Sequence, residues 1–517
     1  MLSKVKADPI VIAQENSQRI STKRSRWHGL FQDIGVEHGF QPLHVEGDIP
    51  EEINGVLYQN GPGVFSSQGQ PYAHIFDGDG LVRAVKIQGG KAEGAAKLVQ
   101  SKGLLEERKA GKLLYSGVGT EAKNWQSTKA RVAGLIKNKP ALKNVANTSV
   151  LFWQERLFAL VEGASLPTEL NPDTLDTIGE TSFDNVIRDA FTAHPHWVSE
   201  RNAGFSFGIR TGRENLLDIH EFPKSGPCKL LTTIKLDRRP IAYVHDFIAT
   251  PNYIVFFIPP LHLENKKIPN MLLGSAIYPL IEWQEHLGTE VIIVPIERPS
   301  EVIRFKTDPF FPVHFANAYE ENDEIIVDYT HSDSTLPYDL IGKSHLGLPT
   351  KYFLNLVEKQ KDNTKNSILR RAHINLKRKD IRYNIIVDSF CEFPKINPSL
   401  QGSKHQYVYF TKKLDESEVE TIESPFFDQI VKLDIASGEI NTLDLGEEQF
   451  PLEPIFIRKS NAKKEDEGYL LSMIYDGNKH QSYLVIIDAQ RIEEGPVAKL
   501  HFGQALPISF HGVWRSL

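Results

Sequence analysis

Short apolar runs separated by polar turn clusters recur along the chain from about residue 147 to the end, and they predict strands of about four to eight residues. Ser149-Val-Leu-Phe-Trp153, a Gln-Glu-Arg turn and Leu157-Phe-Ala-Leu-Val161 form one hairpin pattern. Ile248 and Tyr253 to Ile258, joined by Thr250-Pro-Asn252, form another. Further pairs are Phe205 to Ile209 with Asn215 to Ile219, and Pro312 to Tyr319 with Glu324 to Tyr329. Tyr469 to Tyr475 pairs in the same way with Ser482 to Asp488, and Val291 to Val294 and Tyr407 to Phe410 read as further strands. No strict repeat of the WD or kelch type is visible. Many short strands with turns between them predict an all-β barrel, sandwich or propeller. The propeller fits best, because radial blades hold roughly 450 residues as one unit around a central channel.

Histidines fall at these hairpins. His245 stands just before the Ile248 hairpin, His314 inside the Pro312 strand, His194 just before the Phe205 pair, and His511 close to the C-terminus. A lone histidine beside an apolar run is most simply a buried core residue. Four of them, each at a β unit, instead suggest strands converging on one axis. Neutral imidazoles with no acid among them suit Zn, Cu, Fe or Ni alike, and the residues alone leave that choice open.

Composition narrows the picture further. The chain has 517 residues, a formal net charge of −7 and a pI near 6.2, which gives no electrostatic case for a nucleic-acid partner. Its two cysteines, Cys228 and Cys391, make neither a disulfide framework nor a thiolate metal cage, and fit a reducing compartment. Residues 1–27 are polar, with no apolar core of a secretory signal, and no run of about 18–20 apolar residues occurs. A cytoplasmic protein is expected, with peripheral membrane attachment left open. Two stretches bear on that attachment: a basic amphipathic segment around Lys123 to Lys143, and the apolar connection Ile268 to Trp283. Within the second, Leu272, Leu273, Ile277, Tyr278 and Trp283 are candidates for a membrane-dipping patch or the mouth of an apolar tunnel. The glycine clusters Asn60-Gly-Pro-Gly63 and Phe76-Asp-Gly-Asp-Gly80 read as turns, since neither opens a helix as a phosphate loop would.

Taken together, these motifs resemble the carotenoid cleavage oxygenases. Asn60-Gly-Pro-Gly63, Phe76-Asp-Gly-Asp-Gly80, Ala193-His-Pro195, His245-Asp-Phe247, His314-Phe-Ala-Asn-Ala318, Glu392-Phe-Pro-Lys-Ile-Asn397, Glu453-Pro-Ile-Phe456 and Phe510-His-Gly512 come in family order. The resemblance implies a seven-bladed β-propeller with a loop and helical cap over one face. It also implies one Fe(II) on the axis, held by His194, His245, His314 and His511. Glu162, Glu392 and Glu453 would orient three of those rings from behind, as carboxylates do for ligating histidines. Thr148 matches a residue near the open coordination position, and His196 is the decoy beside His194. Residues 1–27 are expected as an arm and 28–517 as one propeller, with cap insertions at about 106–145 and 262–287.

Family enzymes split a conjugated double bond with O₂ into two carbonyl products. The implied partners are therefore an apolar polyene, a carotenoid or apocarotenoid giving retinal-like aldehydes, and O₂, with no protein partner. Ala159-Leu-Val161 lacks the lysine of the stilbene-cleaving branch. The retinoid isomerases share the Glu392-Phe-Pro and Glu453-Pro-Ile-Phe motifs, but their Pro-Asp-Pro-Cys-Lys signature is absent here. Cleavage therefore ranks above stilbene cleavage and isomerisation. The rivals outside this chemistry are a metal-free propeller that binds apolar ligands or proteins, and a zinc hydrolase.

Overall fold

The apolar run Tyr253–Ile258 shows how this fold is built. Its residues do not alternate between apolar and polar, because both faces of the strand are buried. Ile254, Phe256 and Ile258 pack into one core with Phe205, Phe207 and Ile219, while Val255 and Phe257 pack into the next with Phe315, Val327 and Tyr329. With side chains pointing alternately to opposite faces, a strand of this kind sits between two neighbouring sheets. At about 1.5–3 kcal/mol for each large apolar side chain buried, these inter-sheet cores are the main source of stability.

In the computed structural model of the chain, residues 26–517 are described apart from 138–141, 163–164, 211–213, 237–242, 347–364 and 414–426. Seven antiparallel sheets form the blades of a β-propeller. Blade 1 contains Gly55–Val64, Asp79–Gln88 and Lys91–Leu98, and blade 2 runs from Ser149–Trp153 to Thr177–Glu180. Blades 3, 4, 5 and 6 begin with the inner strands His196–Val198, Ile248–Ala249, Phe311–Glu321 and Cys391–Lys395. Blade 7 begins with Gln449–Pro451 and Ile455–Arg458, both paired to Gly468–Asp476. The predicted hairpins are all present, with ends shifted by a few residues.

The two ends of the chain close the ring. His38–Pro42 lies on the outer edge of blade 1 and His44–Gly47 on the outer edge of blade 7. The C-terminal strand His511–Ser516 pairs with Gly55–Val64 as the inner strand of blade 1. Of the expected N-terminal arm, residues 1–25 lie outside the described residues, and Trp27 is buried against the blade 7 and blade 1 core. Helices occupy connections between strands: Lys102–Ala110, Trp125–Lys137, Ile268–Leu272 and Leu336–Gly342.

The first glycine cluster is a correction. Asn60-Gly-Pro-Gly63 lies within the ten-residue strand Gly55–Val64 and is not a turn. Its glycines serve close approach: a Cβ on Gly61 would sit 2.2 Å from the Ile508 carbonyl oxygen. The second cluster does turn, through the 3-10 helix Ile75–Asp77 and Gly78, before the strand Asp79–Gln88, and a Cβ on Gly80 there would lie 2.0 Å from the Ala146 carbonyl oxygen. Asn60 Nδ2 donates to the carbonyls of Ala146 and Ser149 at 2.9 Å each. Asn147 Nδ2 donates to those of Phe76 and Gly78 at 3.0 and 2.7 Å. Both clusters thus fix the segment that carries Thr148.

Candidate metal centre

Every blade delivers one polar side chain toward the axis, six of them from an inner strand or beside one and Glu162 from just beyond the second strand of blade 2, Arg156–Leu160. Blade 2 brings Glu162, blades 3, 4 and 5 bring His194, His245 and His314, blades 6 and 7 bring Glu392 and Glu453, and the closing strand of blade 1 brings His511. The four imidazoles meet. The ring centroids of His194 lie 4.5, 5.3 and 4.6 Å from those of His245, His314 and His511. His314 is 5.0 Å from His245 and 4.8 Å from His511. Ring nitrogens of His194, His245 and His314 lie within 4.8 Å of one another.

What holds the rings also sets their chemistry. His314 Nδ1 donates to Glu392 Oε2 at 2.5 Å and His511 Nδ1 to Glu453 Oε1 at 2.8 Å. His245 Nδ1 is paired with Glu162 and lies 2.6 Å from the Tyr338 hydroxyl. A nitrogen that donates to a carboxylate carries the proton, so in these three rings the lone pair is on Nε2. Nε2 of His245 and Nε2 of His314 face each other at 3.1 Å. Two lone pairs at that distance repel unless an electron-pair acceptor lies between them. His194 adds an Nε2 that is buried with no hydrogen-bond partner. Burial, the largest cause, holds His194, His245 and His511 well below the ordinary imidazole range, so they are neutral at pH 7. Neutral, preoriented and unpartnered nitrogens fit a divalent transition metal.

Several partners in this arrangement stand outside the sequence motifs above. The Tyr243 hydroxyl donates to Glu162 at 3.0 Å and also lies 2.9 Å from the Tyr338 hydroxyl. Tyr338 sits on the helix Leu336–Gly342, which the strand pattern did not announce. Ser367 Oγ donates to the free oxygen of Glu392 at 2.5 Å. Tyr243 could have been found, since in an extended segment it faces the same way as His245 two residues on. Between Glu392 and Lys395 the blade 6 strand slips its register, with Phe393 at φ +57°. A left-handed aromatic residue costs of order 1–3 kcal/mol and persists only where its surroundings impose it. Here the Phe393 ring stacks on His314 at 5.6 Å and meets His511 edge-on at 5.5 Å.

His196 is occupied elsewhere. Its Nε2 lies 2.8 Å from Asp246 Oδ1, and Asp246 also accepts the backbone N–H groups of Phe247 and Phe315. His196→Ala is therefore expected to keep its metal and to lose about 1–3 kcal/mol of stability as Asp246 loses one partner. Metal analysis alongside a denaturant titration checks both. A metal-free variant would place His196 in the centre.

A pocket with about 880 Å³ of free space, part of it open to solvent, ends on His245, His314 and His511, with Phe76, Phe390, Phe427, Leu452 and Phe510 among its apolar walls. A second pocket with about 590 Å³ of free space, lined in part by Tyr72, Tyr115 and Lys143, shares Phe76, Thr148 and Glu162 with the first. Thr148 is buried at this junction, its Oγ1 3.1 Å from Asn147 Oδ1. The five candidates on the Ile268 to Trp283 connection are each at least partly exposed. Leu273 is 61% exposed, whereas Tyr278 and Trp283 pack against Phe311, Val313 and Tyr338, and Tyr278 donates to Asp339 at 2.9 Å. Leu272 and Ile277 are half-buried. Among the described residues no helix is long and apolar enough to cross a membrane.

A family profile described as Retinal pigment epithelial membrane protein matches residues 31–516. The Apocarotenoid-15,15'-oxygenase of Synechocystis sp. is 32% identical over 500 residues, spanning 94% of this chain and 96% of that protein. The chain belongs to the carotenoid cleavage oxygenase family. An isoeugenol monooxygenase of Pseudomonas putida is 26% identical over 93% of this chain and 96% of its own length. Solved structures of carotenoid cleavage oxygenases share the architecture. Cobalt-substituted Synechocystis apocarotenoid oxygenase superposes with a TM-score of 0.80 at 29% identity, covering 96% of this chain and 100% of that one. A mutant of the same oxygenase gives 0.81, with the same identity and coverage.

Proposed function

We propose that this carotenoid cleavage oxygenase is a non-haem Fe(II) dioxygenase that splits one conjugated C=C bond of an apocarotenoid or carotenoid with O₂ into two carbonyl products. The observation that carries the reading is a cluster of four imidazoles, with no carboxylate among them, at the end of a large apolar cavity. A zinc hydrolase would want a water-activating site with polar surroundings. Phenylalanine and leucine walls instead suit a substrate without hydrogen-bonding groups along its length.

The Nε2 atoms of His194, His245, His314 and His511 would hold the ion. A ferrous ion supplies, when bound, the one-electron chemistry that lets O₂ react with a closed-shell polyene. The rest falls to the chain. Glu162, Glu392 and Glu453 lock three rings in one tautomer from behind, leaving the front of the centre to substrate and O₂. The apolar walls exclude water and slide a polyene until one double bond lies over the histidines. Thr148, its hydroxyl turned to Asn147 Oδ1, acts beside the centre by shape and not as a proton donor.

The test is turnover. Iron-loaded protein, given an apocarotenal in air, should convert each molecule consumed into two shorter carbonyl compounds, with no reaction under nitrogen. Geometric isomers in place of shorter products would replace this reading with isomerisation.

A further inference from the structure

We propose that Lys395 sets the charge of the centre so that ferrous iron is favoured over ferric; this rests on the iron reading above. Each of the three glutamates is surrounded by N–H and O–H donors. Glu162 takes Tyr243, Tyr338 and His245, Glu392 takes His314, Ser367 and the Phe393 N–H, and Glu453 takes His511 and the Gly512 N–H. Their third partners differ in one respect. For Glu162 and Glu392 they are neutral hydroxyls. For Glu453 it is an ammonium: Lys395 Nζ lies 2.8 Å from Oε1, the same oxygen that holds His511. Among the described residues no other lysine or arginine is ion-paired with any of the three.

The slipped register at Phe393 makes this possible. The strand Cys391–Lys395 sends Glu392 to His314 of blade 5 and Lys395 to Glu453 of blade 7. One five-residue strand thus supplies a carboxylate to one ring and a cation to the carboxylate behind another.

The charge balance follows. Three carboxylates and one ammonium touch the ring nitrogens or one another, and Lys395 is the one lysine or arginine among them in the described residues. Asp246, one step further out, is paired with His196 and two backbone N–H groups. Removing the ammonium leaves a more negative surrounding, which stabilises the higher charge on the metal. Oxidation passes one electron from Fe(II) to O₂, giving Fe(III) and superoxide with no proton needed. Lys395 opposes that loss while substrate is absent, and so acts as a positioning and tuning residue that touches no substrate.

Lys395→Met tests this, with Lys395→Arg as the charge-conserving control and Lys395→Gln as the second neutral variant should the first fail to fold. Each is loaded with Fe(II) anaerobically and poised against redox mediators, and the ferric fraction is read by electron paramagnetic resonance. The neutral variant should show a ferric-to-ferrous ratio about tenfold higher at a fixed potential, a midpoint about 59 mV lower, with oxidation in air correspondingly faster. The arginine variant should stay within about threefold of the parent protein. A neutral variant indistinguishable from the parent overturns the proposal, and so does an arginine variant as displaced as the methionine one. Iron absent from all of them removes the iron reading itself. Iron present with unmoved potentials removes only the role of Lys395.

Discussion

His314→Ala is expected to give a folded propeller that holds less than about a tenth of the parent's iron and makes no detectable product. His314 touches three other parts of the centre: Nε2 faces His245 at 3.1 Å, Nδ1 is held by Glu392, and the ring stacks on Phe393. Its removal takes away one of four donors and unlocks the bulge that aims its neighbours. The fold should survive, because Glu392 keeps Ser367 and the Phe393 N–H, so the cost of the lost hydrogen bond is about 1–3 kcal/mol. Iron analysis and circular dichroism on the same sample measure both effects. An iron-replete, active His314→Ala protein would remove this residue from the centre.

Deleting Phe510 to Leu517 should have an even broader effect. The strand His511–Ser516 makes the inner edge of blade 1, paired with Gly55–Val64 from Gly55↔Ser516 to Asn60↔His511. A Cβ on Gly55 would meet the Trp514 ring at 2.3 Å, so that ring takes the space a side chain at position 55 would need. Losing the strand strips a ladder of backbone hydrogen bonds at about 0.5–1.5 kcal/mol each, in a protein whose whole stability is of order 5–15 kcal/mol. It also removes His511 and leaves Glu453 with Lys395 and no imidazole. The truncated chain is expected to be insoluble, or to melt well below the parent and bind no iron. A soluble truncated protein with full metal would show that the ring closes, and the centre forms, without its last strand.

The blades and their histidines were legible because both are local patterns. A strand announces itself by four to eight apolar residues between turns, and His245 or His314 stands beside one. Glu392 and Glu453 were legible through their motifs and their apolar neighbours Phe393, Pro394, Pro454, Ile455 and Phe456, and Glu162 only by its position in the family pattern, since nothing about it alone distinguishes it from a surface acid. Tyr338, Ser367 and Lys395 were not legible, because each meets its partner across blades. Tyr338 reaches His245 from 93 residues away, and Lys395 reaches past its own neighbour Glu392 to Glu453. The glycines of Asn60-Gly-Pro-Gly63 misled for a related reason. A glycine needed for a turn and one needed for close approach look alike in sequence, and only the position of the Ile508 carbonyl separates them.

The most direct test is metal analysis of the full chain purified without air. About one iron per chain, with zinc, copper and nickel at trace levels, is the predicted result. A well-folded chain without iron, or with one zinc in its place, would contradict it.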